Sequence, residues 1–242
     1  MTYHSGSDYP FPYYNLDPID EFTMENETWT EDEVNEVLSR KNKSILAIIS
    51  NCGTNSRRER IIPLLERKLN ITLAGKCYKN FINDSKTIEL ETTHRFYLAL
   101  ENTVCDEYVT EKAFRLSRLM IPIVFSRSFA EDVLPEKSFI ALDDYSSSDE
   151  LASYIKKVEN DEKLYRSYFT WTKRYKKIEG GNMGLCKLCK ELYSSEIEHR
   201  TINNRELEKG KECISQYAET VLWTTNSTVY GYNMEKLIAE MS

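Results

Sequence analysis

The stretch Phe96-Tyr-Leu-Ala-Leu100-Glu101-Asn102-Thr-Val-Cys105-Asp-Glu107-Tyr108-Val-Thr110-Glu111-Lys112 begins as an apolar run and ends in charge. Arg95 to Leu100 reads as a buried strand, and Tyr108 to Met120 as a helix capped near Asp106 or Glu107. A strand that runs through a short polar loop into a helix places unpaired helix N–H groups at the strand exit, where phosphate is favoured. A lysine in the first turns adds a full positive charge there, although capping alone would select acids. Lys112 beside Glu111 therefore reads as a ligand pair, the cation for phosphate and the carboxylate for sugar hydroxyls. It reads equally well as a Glu-Lys neighbour on a solvated helix face. Ser50-Asn-Cys52-Gly53 followed by Ser56-Arg57-Arg58 repeats the pattern of strand, small-residue turn and cationic helix start. Arginine at that end opposes the helix dipole, so it needs an anion or solvent; Arg57 by itself reads as solvent-facing.

Working outward, Ser44-Ile-Leu-Ala-Ile-Ile-Ser50 is a strand-length apolar run suited to burial on both faces. Ser56 to Leu69 has helical spacing, with Pro63 an objection inside it. Asn70 to Ala74, Ile121 to Phe125 and Ser138 to Leu142 follow as strands, and Ser147 to Asn160 and Asp161 to Lys177 as helices. Alternation at this spacing predicts an α/β fold, a Rossmann-like parallel sheet flanked by helices, with ligands at the carboxyl ends of the strands. The expected organisation is an extended acidic lead-in and linker over 1–40, the sheet-and-helix domain over 41–178, and a CxxC segment with a polar tail over 179–242.

Composition narrows the function. The 242 residues are 40% hydrophobic and 29% charged, enough for a sizeable core. Net charge is −7, but residues 1–39 hold ten acids and no Lys or Arg, leaving 32 bases against 29 acids in the remainder. An acidic head on a near-neutral body excludes a nucleic-acid coat. No apolar run approaches the ~20 residues that span a bilayer, and no signal peptide opens the sequence. Neither a Gly-x-Gly-x-x-Gly nor a Walker segment is present. Asp143-Asp144 reads as a strand-to-loop turn, and His94 as a strand-edge residue without a triad partner. Among six cysteines, Cys186-Lys-Leu-Cys189 is the one close pair. Three His without paired spacing argue against zinc there, and its position argues against a thioredoxin-like motif, so a disulfide leads. Sequons at Asn26, Asn42, Asn70, Asn83 and Asn226 point together to the secretory pathway.

With these blocks in place, the sequence resembles the α-1,3-fucosyltransferases, glycosyltransferase family ten. The most specific block is Phe96 to Asn102 with Asp106-Glu-Tyr-Val-Thr-Glu-Lys112. Ser50-Asn-Cys with Arg58, Gly75-Lys-Cys77, Ile121-Pro-Ile-Val, Leu134-Pro-Glu-Lys-Ser-Phe-Ile140, Asp143-Asp-Tyr, Tyr168-Phe-Thr-Trp171 and Cys186-x-x-Cys189 follow the family order. The opening Met1-Thr-Tyr-His-Ser-Gly-Ser-Asp8 is similar to a further block, with His4 where many relatives have Arg and Ser5-Gly6 replacing a charged pair. The resemblance implies the carboxyl-terminal, donor-binding half of a GT-B fold. It implies GDP-fucose as donor, an N-acetylglucosamine-containing glycan or glycoprotein as acceptor, and inversion to an α-1,3 linkage. By motif, Arg58 and Lys112 would neutralise the diphosphate, while Asn102, Tyr108 and Glu111 would fix ribose or fucose hydroxyls. No cofactor is obligatory on this reading, although a divalent metal can stimulate. It implies residence in the Golgi lumen, with membrane attachment only through an anchor upstream of this sequence. The family's amino-terminal domain, with its general base, lies outside the sequence. The expected alternative is thus a nucleotide-sugar-binding module without turnover, with a redox role for Cys186 and Cys189 the weakest reading.

Overall fold

The computed structural model describes residues 3–7, 9–178, 183–193 and 213–221. Its centre is a five-stranded, all-parallel sheet made of β1 (Lys43–Ile48), β2 (Ile71–Ala74), β3 (His94–Leu98), β5 (Ile121–Val124) and β6 (Ile140–Ala141), in the order β2-β1-β3-β5-β6. A separate antiparallel pair joins β4 (Val104–Cys105) to β7 (Cys213–Ile214). Crossovers run through α2 (Arg58–Glu66), α3 (Asp84–Thr93), a 3₁₀ turn at Ala113–Arg118 and α4 (Arg127–Ala130). α1 (Glu31–Ser39) precedes the sheet, and α5 (Ser148–Asn160), α6 (Glu162–Ser167) and α7 (Met183–Tyr193) follow it.

The apolar runs are continuous because both faces of the sheet are covered. Ile45, Ala47, Phe96, Leu98, Ile121 and Ile123 point into one core layer, packed by α2, α5 and α6. Leu46, Tyr97, Ala99 and Val124 point into the other, with Leu90 of α3 and Phe114. Trp171 is fully buried in the first layer. His94 is also fully buried; its Nδ1 lies 2.7 Å from the Leu90 carbonyl and its Nε2 2.8 Å from Thr72 Oγ1, so it is a partnered core residue of β3.

Four local readings are corrected. The helix expected from Tyr108 to Met120 is an irregular loop followed by the 3₁₀ turn, with Glu107 and Leu119 both at positive φ. The helix expected to run to Lys177 ends at Ser167, and a 3₁₀ turn at Thr170–Lys173 follows. The acidic linker contains a real helix, α1, whose capping box pairs Thr30 with Glu33 and whose first turn holds three acids, matching the helix dipole. The Cys186–Cys189 bridge is not formed: Cys189 is a free, exposed thiol. Both residues sit on α7, three positions apart. Among the described residues, the bridges are Cys52–Cys77 and Cys105–Cys213.

Asn26, Asn42, Asn70 and Asn83 are exposed, while Asn226 lies outside the described residues. No helix among the described residues is long and apolar enough to cross a membrane.

Candidate functional site

In a parallel sheet ordered 2-1-3, the chain leaves β1 to one side and β3 to the other, which opens a crevice at their carboxyl ends. The two cationic motifs emerge at that point. β1 exits into Ile49–Arg57 and β3 into Ala99–Lys112, and the two loops bond directly. The Ser56 N–H donates to the Asn102 carbonyl (2.8 Å), and Ser56 Oγ donates to the Glu101 carbonyl (2.6 Å). The β2 exit is locked alongside by Cys52–Cys77 and by Gly75. Gly75 has φ +98, and a Cβ there would lie 2.5 Å from the Ile49 carbonyl oxygen, so the crossing of the β1 and β2 exits admits only glycine.

Arg58 opens α2 and is buried. Its guanidinium donates to the Leu100 carbonyl (2.6 Å) and the Asn51 carbonyl (3.2 Å), while Nε has no partner. Arg58 thus ties the exits of β1 and β3 together. Burial pulls its pKa down, opposed by the nearby Glu101 carboxylate. Lys112 reaches the next residue of the same strand exit, Glu101. Its ammonium donates to Glu101 Oε2 (2.9 Å), Thr110 Oγ1 (2.8 Å) and Glu111 Oε1 (3.2 Å). Glu101 is itself buried, and its other oxygen accepts from the Thr110 N–H (2.9 Å) and hydroxyl (2.7 Å).

The electrostatics follow from that geometry. Burial pushes the Glu101 carboxyl up, against the pull of Lys112 and Thr110. Burial alone would lower the Lys112 pKa, but Glu101 and Glu111 outweigh it and raise it, so the ammonium stays charged. Burial would likewise raise Glu111, yet Lys112 and Thr110 hold it below the usual carboxylate range. The expected pair of Glu111 and Lys112 is therefore present, but the anchoring acid is Glu101.

Asn102 is half-buried, and its side-chain oxygen is enclosed without a partner. Tyr108 stands against the edges of Tyr3 (5.2 Å between centroids) and Tyr13 (6.1 Å), and burial pushes its phenol well up. It borders a cavity of about 30 Å³ lined also by Ala99, Glu101, Val124 and Phe125. The lead-in is held here by Glu107, whose carboxylate accepts from the Ser5 N–H (2.5 Å) and hydroxyl (2.7 Å) and lies 3.5 Å from His4. Arg57, expected to face solvent, is the left-handed cap of α2 and pairs with Glu59 at 3.8 Å. Asp143 and Asp144 form the expected turn and hold Arg127. No cluster of three or more His, Cys, Asp or Glu arranged for a metal occurs among the described residues.

Residues 38–208 match the model of glycosyltransferase family 10 (fucosyltransferase), C-terminal domain. The chain belongs to this family. Among its relatives, alpha-(1,3)-fucosyltransferase fut-6 of Caenorhabditis elegans is 32% identical over 205 residues, covering 79% of this chain and 50% of the relative. Human 4-galactosyl-N-acetylglucosaminide 3-alpha-L-fucosyltransferase 9 is 33% identical over 178 residues, covering 72% and 46%. Alpha-(1,3)-fucosyltransferase C of Drosophila melanogaster is 35% identical over 167 residues, covering 67% and 39%. The family 10 chain thus spans about half the length of the curated relatives it matches. A crystal structure of an alpha1,3-fucosyltransferase with GDP-fucose superposes with a TM-score of 0.52 at 22% identity, covering 69% of this chain and 53% of that one, which fixes the fold.

Ser56, Glu101 and Thr110, which fix the two loops and the lysine, were not singled out by the sequence reading. Glu101 carried a usable signal, since an acid ending a fully apolar strand demands a counter-charge. Ser56 carried none.

Proposed function

We propose that this family 10 chain binds GDP-fucose at the exits of β1 and β3 and supplies the donor half of an inverting α-1,3-fucosyltransferase acting on N-acetylglucosamine-containing glycans. The observation that carries the reading is the ammonium of Lys112, held by a buried carboxylate at the crevice of a 2-1-3 parallel sheet, with Arg58 bonded to the adjacent Leu100 carbonyl. Departure of the diphosphate from an oxocarbenium-like fucose builds negative charge on the leaving group, and a fixed cation stabilises that charge without reorganising. Of the three Lys112 partners, Glu111 is the exchangeable one, because it is the longest contact and its side chain is the most exposed. Donor binding on this reading swings Glu111 to a sugar hydroxyl and gives the freed N–H to a phosphate oxygen. Arg58 acts as a buried positive charge that holds the loop, while Asn102 offers its unpartnered oxygen and Tyr108 its ring edge to the sugar nucleotide.

Inverting transfer also needs a base at the acceptor hydroxyl, worth roughly a hundred- to ten-thousand-fold. The family resemblance assigns that base to the amino-terminal domain, so transfer belongs to the protein that joins this domain to such a partner. The two disulfides and four exposed sequons support residence in the oxidising Golgi lumen. Divalent-metal stimulation would act through the diphosphate's own oxygens.

Calorimetric titration with GDP, with and without EDTA, tests donor binding. The expected result is saturable binding that Lys112→Ala weakens about 10- to 100-fold, the range for a hydrogen bond to a charged group. A folded chain with no GDP affinity defeats the reading. Fucose transfer to N-acetyllactosamine separates enzyme from binding module.

A further inference from the structure

We propose that residues 213–219 are a positioning element of the nucleotide-sugar site, a strap that closes a ring of chain around Asn102; the proposal rests on the donor-site reading above. The expected polar tail is not loose here. Its main chain bonds to both cationic loops at once. The Gln216 N–H donates to the Asn55 carbonyl (2.7 Å), and the Ala218 N–H donates to the Ser56 carbonyl (2.9 Å). Ser56 in turn donates its own N–H to the Asn102 carbonyl (2.8 Å). Two residues on, β4 pairs with β7, Val104 against Ile214 and Cys105 against Cys213, and the disulfide between those cysteines joins positions 108 residues apart. The circuit runs from the strap to Ser56, to Asn102, to Cys105 and back to the strap, every link a hydrogen bond, a covalent chain or a disulfide.

Side chains seat the strap. The Tyr217 ring packs edge-on against Phe125 (5.6 Å), and its hydroxyl donates to Asp143 Oδ2 (3.1 Å). Buried Glu219 lies 2.5 Å from the Arg60 guanidinium of α2, an ion pair without an aligned hydrogen bond. Gln216 is held at φ 56, a conformation that non-glycine residues keep where the surroundings impose it. Asn102 has no side-chain partner for its buried oxygen, so the Ser56 bond and the ring set where that oxygen points. Binding groups need to be held within about 0.5 Å of productive geometry, and a ring linking both loops provides that constraint where either loop alone would not.

The test is GDP titration of the full chain at a temperature well below every transition, alongside thermal unfolding of each variant. Cys105→Ala/Cys213→Ala is expected to keep a cooperative transition yet bind GDP at least tenfold more weakly. Tyr217→Phe and Glu219→Gln are expected to lose severalfold each. A strap that only adds stability would lower Tm and leave Kd unchanged, so folded variants that bind GDP within twofold of the wild type overturn the proposal. If the double cysteine variant does not fold, the two conservative variants decide by the same criterion. A wild-type chain that ignores GDP overturns the donor-site reading itself, before the strap enters.

Discussion

Lys112 donates to three oxygens, and what each partner does can be separated by substitution. Lys112→Met leaves the Glu101 carboxylate buried without its cation, which should cost about 3–5 kcal/mol in urea unfolding. Glu101→Gln in the same chain should recover most of that loss, because no buried charge remains. A double variant that loses the sum of the two single-variant losses would show that the pair is not coupled. A second buried lysine behaves oppositely. Lys41 is 2% exposed and donates to the Glu91 carbonyl (2.8 Å), and burial pushes its pKa down to about 7 despite the Glu91 carboxylate. The unfolded chain therefore binds one more proton than the folded chain between about pH 7 and the ordinary lysine value near ~10.4, so this residue makes stability rise with pH across that window. Lys41→Met should stabilise the chain at pH 6, on the order of a few kcal/mol, with the gain shrinking towards pH 9. A pH-independent difference would contradict the assignment.

Elements show why some of the site was legible in the sequence and some was not. The strand exits were legible, because buried parallel strands are unbroken apolar runs, and the runs that continue β1 and β3 stop sharply at Ser50 and Glu101. The loop between Glu101 and Ala113 was not. Helical spacing from Tyr108 onward resembles an α-helix, but Glu107 at φ 54 and the Thr110–Glu101 bonds bend the chain before a helix can start. The phosphate-binding argument from a helix dipole accordingly fails at Lys112, which precedes only a short 3₁₀ turn, and its charge acts through Glu101 instead. The pairing of Cys105 with Cys213 was illegible because nothing local links positions so far apart. Cys52–Cys77 closes a 25-residue separation, and in the chain-entropy account Cys52→Ser/Cys77→Ser should cost about 3–4 kcal/mol. The lead-in gives a pH test. Burial would raise Glu107, yet its bonds to Ser5 and the nearby His4 lower it. The stability this contributes is full above the ordinary glutamate value and is lost as pH falls through the lowered one. Residues 3–7 should therefore lose hydrogen-exchange protection under acid, below about pH 4, and Glu107→Gln should remove it at neutral pH as well. Unchanged protection in that variant would argue that the tyrosine contacts alone hold the segment.

At the scale of the whole molecule, strand order does what no single motif does. The alternation of strands and helices was enough to expect a parallel sheet, but not that β1 and β3 would be neighbours with β2 outside them. That order brings Arg58 and Lys112 to adjacent residues of one strand exit, Leu100 and Glu101, although the two cations are far apart in sequence. Two disulfides and the strap then tie the exits of β1, β2 and β3 into one rim. The most direct test is a crystal structure of the chain soaked with GDP-fucose. The account predicts the diphosphate at the exits of β1 and β3, with a phosphate oxygen about 2.7–2.9 Å from the Lys112 ammonium and Glu111 turned away to a sugar hydroxyl. A nucleotide ordered elsewhere on the molecule, or one bound at this rim with Lys112 still spent on Glu111, would contradict it.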